Sequence, residues 1–340
     1  MKRQKSGEFD VIRQYFNAST RSPRKDVSLA IGDDCAITEI KANQRLAITT
    51  DTLVEGTHFF HSIDPADLAY KSVAVNLSDL AAMGAEPAWI SLALTLPKVD
   101  HGWLAKFSQS FFEILDHYNV DLIGGDTTKG PLSISITAHG LLPRDKALCR
   151  HGAEKGDWIY VTGNLGDSAA GLLLLQQRMA QQKSDPAAVN QLTPAQQYLI
   201  ERHLRPTPRV LFGQSIAPYA SAAIDISDGL LADLSHILQR SQVAASIKLE
   251  KLPLSPQLLE VFGQEKAEQL ALSGGEDYEL CFTVADKNCT RLERELTHIG
   301  VDYTCIGQIR GQNTKNSIRL KRFNEKVALP DLKGFEHFPE

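Results

Sequence analysis

Acidic residues set among glycine, serine and threonine recur along this chain and constrain it more than any other feature. They read Gly32-Asp33-Asp34, Thr49-Thr50-Asp51, Gly124-Gly125-Asp126, Asp225-Ile226-Ser227-Asp228 and Gly274-Gly275-Glu276-Asp277, with Asp79 lying between the second and the third. A small acidic residue beside glycine lets backbone and carboxylate approach a ligand together. Hard cations prefer such oxygen ligands. The pattern points to an enzyme that handles a polyphosphate through several Mg²⁺ ions.

The 340 residues are long for one domain and comfortable for two. A net charge of −5 gives no nucleic-acid footprint. It leaves anionic substrates open, because bound metals can reverse a local field. The five cysteines are odd in number and form no Cys-x-x-Cys pair, which argues against a disulfide framework and a zinc site. Reduced thiols and a polar, basic start without an apolar run fit a cytoplasmic protein with no secretory signal. The longest apolar runs, such as residues 89–96, are too short to span a bilayer. No nucleic-acid or membrane partner is expected.

Strand and helix signals alternate, so an α/β or α+β fold in two halves is expected. Residues 45–50 (RLAITT) read as a strand ending in the acidic motif. Asp64-Pro65 opens a helix running through Asp79 to a stop at Gly84. Residues 88–96, 121–124 and 132–142 read as strands, and residues 101–118 as a helix. A charged stretch at 144–156 marks a boundary, giving residues 1–148 and 149–340 as the expected domains. In the second half, residues 157–162, 222–226 and 278–284 read as strands. Helices follow Asp167 and cover 230–239, residues 181–194 read as a loop, and Arg205-Pro206-Thr207-Pro208 is a rigid break. Gly124-Gly125-Asp126 and Gly274-Gly275-Glu276-Asp277 echo each other and hint at duplication.

Each acidic motif has two readings. Asp33 and Asp34 form either an exposed turn or a metal-binding punctuation inside an apolar strand. Thr49-Thr50-Asp51 either ligates a cation at a strand end or supplies a cap. Asp79 shares a helix face with Lys71 and Val75 and a second spacing with Asn76, so it is a surface residue or a ligand on a polar stripe. Asp228 is a plausible helix N-cap as well as a ligand, and Ser227 with nearby N–H groups could touch a nucleotide. His58, between threonine and two phenylalanines, is a packed residue or a functional one. No P-loop or protein-kinase motif set occurs, so a phosphate handler here would rely on metals, with Arg150 and Lys129 adding little.

Taken together, the stretches IGDDCA (31–36), TTDTLVEGTHF (49–59), KSVAVNLSDLAAMGAEP (71–87), IGGDTT (123–128), DWIYVTGNLGDSAAGL (157–172), RHLRPTPR (202–209), DISDGL (225–230) and LSGGEDYEL (272–280) resemble the thiamine-monophosphate kinase family. That family sits in the aminoimidazole-ribonucleotide-synthetase-like superfamily of ATP-binding enzymes. The resemblance implies two α/β domains, the N-terminal one forming a homodimer. It implies ATP-dependent phosphorylation of thiamine monophosphate to thiamine diphosphate. Asp34, Thr49, Thr50, Asp51, Asp79, Asp126, Asp225 and Asp228 match the family's Mg²⁺ ligands. Gly125, Arg150 and Ser227 match ATP contacts, and His58, Glu276 and Phe335 match substrate contacts. Phe335 stands where relatives carry tryptophan or tyrosine, so stacking on a cationic ring survives and a polar hydrogen bond is lost. Asp33, Asp277 and Lys129 stay unassigned, and K⁺ remains an open second cation. No general base is identified, and none is needed if the acceptor phosphate oxygen is already ionised. The rivals are a synthetase phosphorylating an amide oxygen, a non-catalytic nucleotide-binding protein and a two-metal phosphohydrolase.

Overall fold

Alternation of buried and exposed positions in the first half resolves into a four-stranded sheet, and the apolar runs of the second half into a seven-stranded one. The structure, a computed structural model, describes residues 7–17, 22–184, 191–311 and 318–328. The chain divides into two compact units, residues 1–80 with 85–145 and residues 81–84 with 146–340.

The first unit starts with α1 (Glu8–Val11), which continues as a π-helical turn, then β1 (Val27–Leu29), β2 (Ile37–Thr38) and β3 (Gln44–Val54). It goes on through α2 (Pro65–Ala82), β4 (Glu86–Leu96), α3 (His101–His117), β5 (Asp121–Lys129) and β6 (Ser133–Pro143). The sheet order is β3-β6-β4-β5, antiparallel except for the β4–β5 pair. Register puts Thr49, Asp51 and Leu53 in rows with Ala138, Ile136 and Ile134, and these with Ile90, Leu92 and Leu94. Those β6 and β4 partners are buried, so Thr49 and Asp51 lie on the covered face. Thr50 and Ile48 belong to the opposite face, where Ile48 is 60% exposed. The helix signals hold: Ala66 N–H donates to Asp64 Oδ1 (2.8 Å) at the start of α2. At its end, Ala85 N–H to Leu80 O and Gly84 N–H to Ala81 O, both 2.9 Å, form a Schellman stop.

The second unit runs β7 (Trp158–Thr162), α4 (Asp167–Ser184), α5 (Pro194–Leu204), α6 (Val210–Ile216), β8 (Ala220–Asp225), α7 (Leu230–Ser241) and β9 (Ala244–Lys248). It ends with α8 (Pro256–Ser273), β10 (Leu280–Val284), α9 (Asp286–Leu296), β11 (Tyr303–Arg310), β12 (Ile318–Arg322) and β13 (Glu325–Val327). The strand order is β13-β12-β9-β11-β7-β10-β8, with β12–β9 the parallel pair. On α7, Leu230, Leu234, Ile237 and Leu238 repeat at helical spacing and enter the core with Ile224, Ile226 and Cys281. Each such burial is worth roughly 1.5–3 kcal/mol against exposure.

Five local expectations change. The strand expected at 45–50 continues to Val54, because Thr52, Leu53 and Val54 pair with Ser135, Ile134 and Ser133. Thr49-Thr50-Asp51 is therefore mid-strand. The strand expected at 121–124 continues to Lys129, zipped onto β4 past an irregularity beside Ile90 and Ser91. Asp33 and Asp34 are not inside an apolar strand: they lie between β1 and β2, exposed, with Asp34 N–H donating to Asp33 Oδ1. The glycine-rich echo is no structural repeat, since Gly124–Asp126 lies in β5 and 274–277 is coil before β10. Within 181–194, α4 persists to Ser184 and α5 begins at Pro194 behind a Thr193 capping box.

Candidate active site

On the first unit, β3 and α2 bring Thr49, Asp51, Asn76 and Asp79 together. Thr49 Oγ1 donates to Asp79 Oδ2. Asp51 N–H donates to Asn76 Oδ1 (3.2 Å), while Asn76 Nδ2 donates to Ser72 O (3.0 Å), which fixes the amide's orientation. The polar stripe of Asn76 and Asp79 thus faces β3, as the helical spacing predicts. Burial first, and then the neighbouring Asp79 carboxylate, pushes the Asp51 carboxyl up to about 6. No cation enters those causes. An all-oxygen set with two like charges is one that a hard cation would relieve.

The remaining first-unit residues lie apart from this group. Asp34 is exposed in its loop. Asp126 is exposed on the edge strand β5, in register with Ala93. Three strand spacings separate β5 from β3, about 14 Å. Among the described residues, no three of His, Cys, Asp and Glu form a ready metal cluster. Thr50 Oγ1 is bonded to Thr137 Oγ1 (2.9 Å) on the open face, away from Asp51. Gly125 has φ +150°, and an added Cβ would sit 1.8 Å from Leu92 O, so strand packing alone demands glycine there. Lys129 is exposed at the end of β5. His58 closes the turn after β3: its Nδ1 accepts Val54 N–H (3.0 Å), which puts the proton of the neutral ring on Nε2.

On the second unit, register aligns the end of β8 with the start of β10 (Asp225 opposite Leu280), and Leu280 N–H donates to Thr162 Oγ1 at the end of β7 (2.8 Å). Three loops therefore gather at one end of the sheet: 163–166, 226–229 and 274–279. Glu276 N–H donates to Ser227 O (2.7 Å) and Tyr278 N–H to Ile226 O (2.9 Å). Asp225 is buried and Ser227 and Asp228 are half-buried. Arg150 is exposed, its carbonyl accepting from Ser241.

The N-cap alternative for Asp228 fails. Gly229 is the N-cap residue of α7, without a side-chain cap bond. Asp233, one turn into the helix, reaches back and its Oδ2 accepts N–H from both Asp228 and Gly229 at 3.0 Å. Those N–H groups are thereby committed and are not a phosphate cradle. Burial pushes Asp233 up to about 7, against the lowering effect of its N–H donors.

Asp277 and Glu279 have internal partners. Fully buried Asp277 accepts Gly166 N–H (2.7 Å) and Ser168 N–H (3.1 Å) at the start of α4, and burial pushes it up to about 8. Glu279, with no exposed side-chain surface, accepts from Thr162 Oγ1 (2.6 Å), Arg202 Nη2 (3.0 Å), and Arg209 Nε (2.6 Å) and Nη2 (2.5 Å). Glu276 Oε2 lies 3.4 Å from His203 Nδ1. Sequence reading missed Asp233, Glu279, His203 and the two arginines. The available signal was opposite charges inside apolar context in RHLRPTPR and YEL, read only as a break and a strand. Phe335 lies outside the described residues.

Residues 32–142 match the family described as AIR synthase related protein, N-terminal domain, and residues 154–318 match its C-terminal domain. Over 332 residues the chain is 54% identical to the thiamine-monophosphate kinase of Escherichia coli (strain K12), covering 98% of each. The chain belongs to the thiamine-monophosphate kinase family. A crystal structure of the family's enzyme from Stenotrophomonas maltophilia K279a superposes with a TM-score of 0.80 at 44% identity, covering 92% of this chain and 94% of that one. A second family structure, AaThiL complexed with AMPPCP and TMP, gives a TM-score of 0.73 at 35% identity, with 92% and 93% covered. The mixed α/β architecture of two domains is the family's.

Proposed function

We propose that this protein transfers the γ-phosphate of ATP to thiamine monophosphate, giving thiamine diphosphate and ADP, by direct in-line displacement. The observation that carries the reading is the Thr49–Asp51–Asp79 group, an all-oxygen set in which burial, and then the Asp79 carboxylate, raises Asp51 to about 6. It fits Mg²⁺ in donor chemistry. A relative solved with AMPPCP, an ATP analogue, and TMP supports both substrates.

Asp34, Thr49, Asp51, Asp79 and Asp126 on the first unit, and Asp225 and Asp228 on the second, would hold metal. Thr50 would enter through its main chain, because its hydroxyl is engaged with Thr137. When bound, Mg²⁺ supplies neutralisation of charge on the transferring phosphates. Gly125, Arg150 and Ser227 contact ATP. His58 presents Nε2–H to the substrate and Glu276 its carboxylate, with Phe335 in the same role. The chain positions two anionic phosphates in line, and the ionised acceptor oxygen needs no base. K⁺ would be a second, accessory cation.

Residues 1–148 act as the ATP- and Mg²⁺-binding, dimerising domain, and residues 149–340 complete the nucleotide and substrate site. The first of these domains is taken to form the homodimer, as the family resemblance implies. No described helix is long and apolar enough to cross a membrane, and we place the enzyme in the cytoplasm with no nucleic-acid partner.

The decisive experiment follows thiamine diphosphate and ADP by mass spectrometry with ATP, Mg²⁺ and thiamine monophosphate. Equimolar formation of both is expected, and ADP release without thiamine diphosphate would refute the acceptor. A phosphoenzyme trapped with labelled ATP would refute direct transfer.

A further inference from the structure

We propose that His203 is the positioning residue for Glu276 and sets how tightly the site takes the thiamine ring system of the substrate. The inference rests on the reading of Glu276 as a substrate contact. His203 sits in the last turn of α5 and is 4% exposed. Its Nδ1 lies 3.1 Å from Ser168 Oγ and 3.4 Å from Glu276 Oε2. We place the proton on Nδ1, where it faces the Ser168 hydroxyl and, at ion-pair distance, the Glu276 carboxylate, which can only accept.

Every part of this arrangement is anchored. Ser168 N–H is held by buried Asp277. Gly171 of α4 lets α5 come close: an added Cβ would meet Leu199 O at 2.1 Å and His203 Cβ at 2.9 Å. That close approach brings the imidazole beneath the 274–279 loop. Glu276 itself has φ +65°, a left-handed conformation that is strained for a non-glycine residue. Its N–H bond to Ser227 O and the next one, Tyr278 to Ile226, sustain that conformation. The backbone is fixed from one side and a carboxylate oxygen from the other. A carboxylate held this way loses little freedom on meeting a cationic ring, which is where affinity is gained.

The test uses the full chain with H203Q, which withdraws the donor from the Nδ1 position, H203N, which restores an N–H there, E276Q, and the H203Q/E276Q double variant. H203Q is expected to raise the KM for thiamine monophosphate about tenfold, the usual scale for a hydrogen bond to a charged group. KM for ATP should stay within about twofold, H203N should recover most of the loss, and the double variant should be no worse than the weaker single one, as coupled residues require. H203M replaces H203Q if the latter does not fold. Parallel changes in both KM values, no rescue by H203N, or additive effects would overturn the proposal. An unchanged KM in E276Q would remove Glu276 from the substrate contact and the inference with it. A raised KM in E276Q beside an unchanged one in H203Q would overturn the inference alone.

Discussion

Two acidic centres in this molecule, one fully buried and one half-buried, are built on opposite terms. On the second unit, Glu279 is met by two arginines and a hydroxyl, and all of its charge is answered within the fold. On the first unit, Asp51 is raised by burial and by Asp79, with no cation among the causes. The first arrangement resembles a structural clasp, where removing one partner strands a buried charge. The second holds a carboxylate out of solvent beside a like charge, a tension that protonation relieves and that a bound cation would relieve too. Motif type does not separate them, since both are carboxylates in apolar surroundings. Compensation does: a carboxylate neutralised by the protein holds the fold, whereas the Asp51 group is the one proposed to take a ligand.

The sharpest break of this contrast is Asp51→Asn. Phosphoryl transfer to thiamine monophosphate is expected to fall by about 10²–10³-fold, the scale of a lost electrostatic contact at a transferring phosphate. Metal-free thermal stability should hold or rise, because the repulsion is gone. A coupled ADP-release assay and a thermal melt in EDTA check both halves. Equal rates in variant and wild type would take Asp51 out of the site. Glu279→Gln should behave in reverse. It leaves Arg202 and Arg209 without their counter-charge and should cost about 3–5 kcal/mol in urea unfolding. An Asp51→Asn chain that unfolds more readily than Glu279→Gln would dissolve the comparison.

A smaller effect comes from pH. The Asp51 carboxyl is raised in the folded state from 3.8 to about 6. An acid raised in this way stabilises the fold when protonated. Its contribution is therefore fully present below about pH 4 and is lost as pH rises through about 6. Metal-free protein should gain on the order of 1–3 kcal/mol from this group as pH falls across that window, after allowance for partial solvent screening. Asp51→Asn should flatten that slope. Mg²⁺ should reverse the preference, because a ligand carboxylate must be ionised. Stability curves at pH 7 and pH 5, with and without Mg²⁺, read the sign directly. An identical slope in wild type and variant would assign the pH effect to other carboxylates.

Helix α2 was legible in the sequence because its ends carry local chemistry, whereas α5, α6, α8 and α9 were not read at all. Asp64-Pro65 and Gly84 bound α2 as their residue types require, and the Asn76–Asp79 stripe follows from helical spacing alone. Strand lengths were less legible. Thr52-Leu53-Val54 and Asp126-Thr127-Thr128 extend their strands only because partner strands are present to pair with them. Asp33-Asp34 looked embedded in apolar sequence, yet in a loop sequence neighbours say nothing about burial. The clasp around Glu279 was invisible for the same reason: Arg202 and Arg209 meet it across about seventy residues, and no local rule reports such a pairing. Asp228 was ambiguous between cap and ligand until Asp233, one turn on, was seen to take the N–H groups.

The mildest and most discriminating prediction divides one strand. Thr49 and Thr50 are chemically identical neighbours, both proposed above as metal ligands, and alternation along β3 sends their side chains to opposite faces. Thr49 Oγ1 holds Asp79 on the covered face, whereas Thr50 Oγ1 holds Thr137 on the open one. Valine keeps the β-branched shape and removes only the hydroxyl. Thr49→Val should remove one hydrogen bond from Asp79 and lower transfer about tenfold, as expected for the loss of a hydrogen bond to a charged group. Thr50→Val should change transfer less than about threefold, because a main-chain carbonyl survives the substitution and an exposed neutral bond contributes little. Initial rates at saturating ATP, with Mg²⁺ titrated for each variant, measure the difference. Comparable losses in the two would mean that the Thr50 hydroxyl turns toward the metal side. The separation of β3 into a ligand face and an open face would then have to be abandoned.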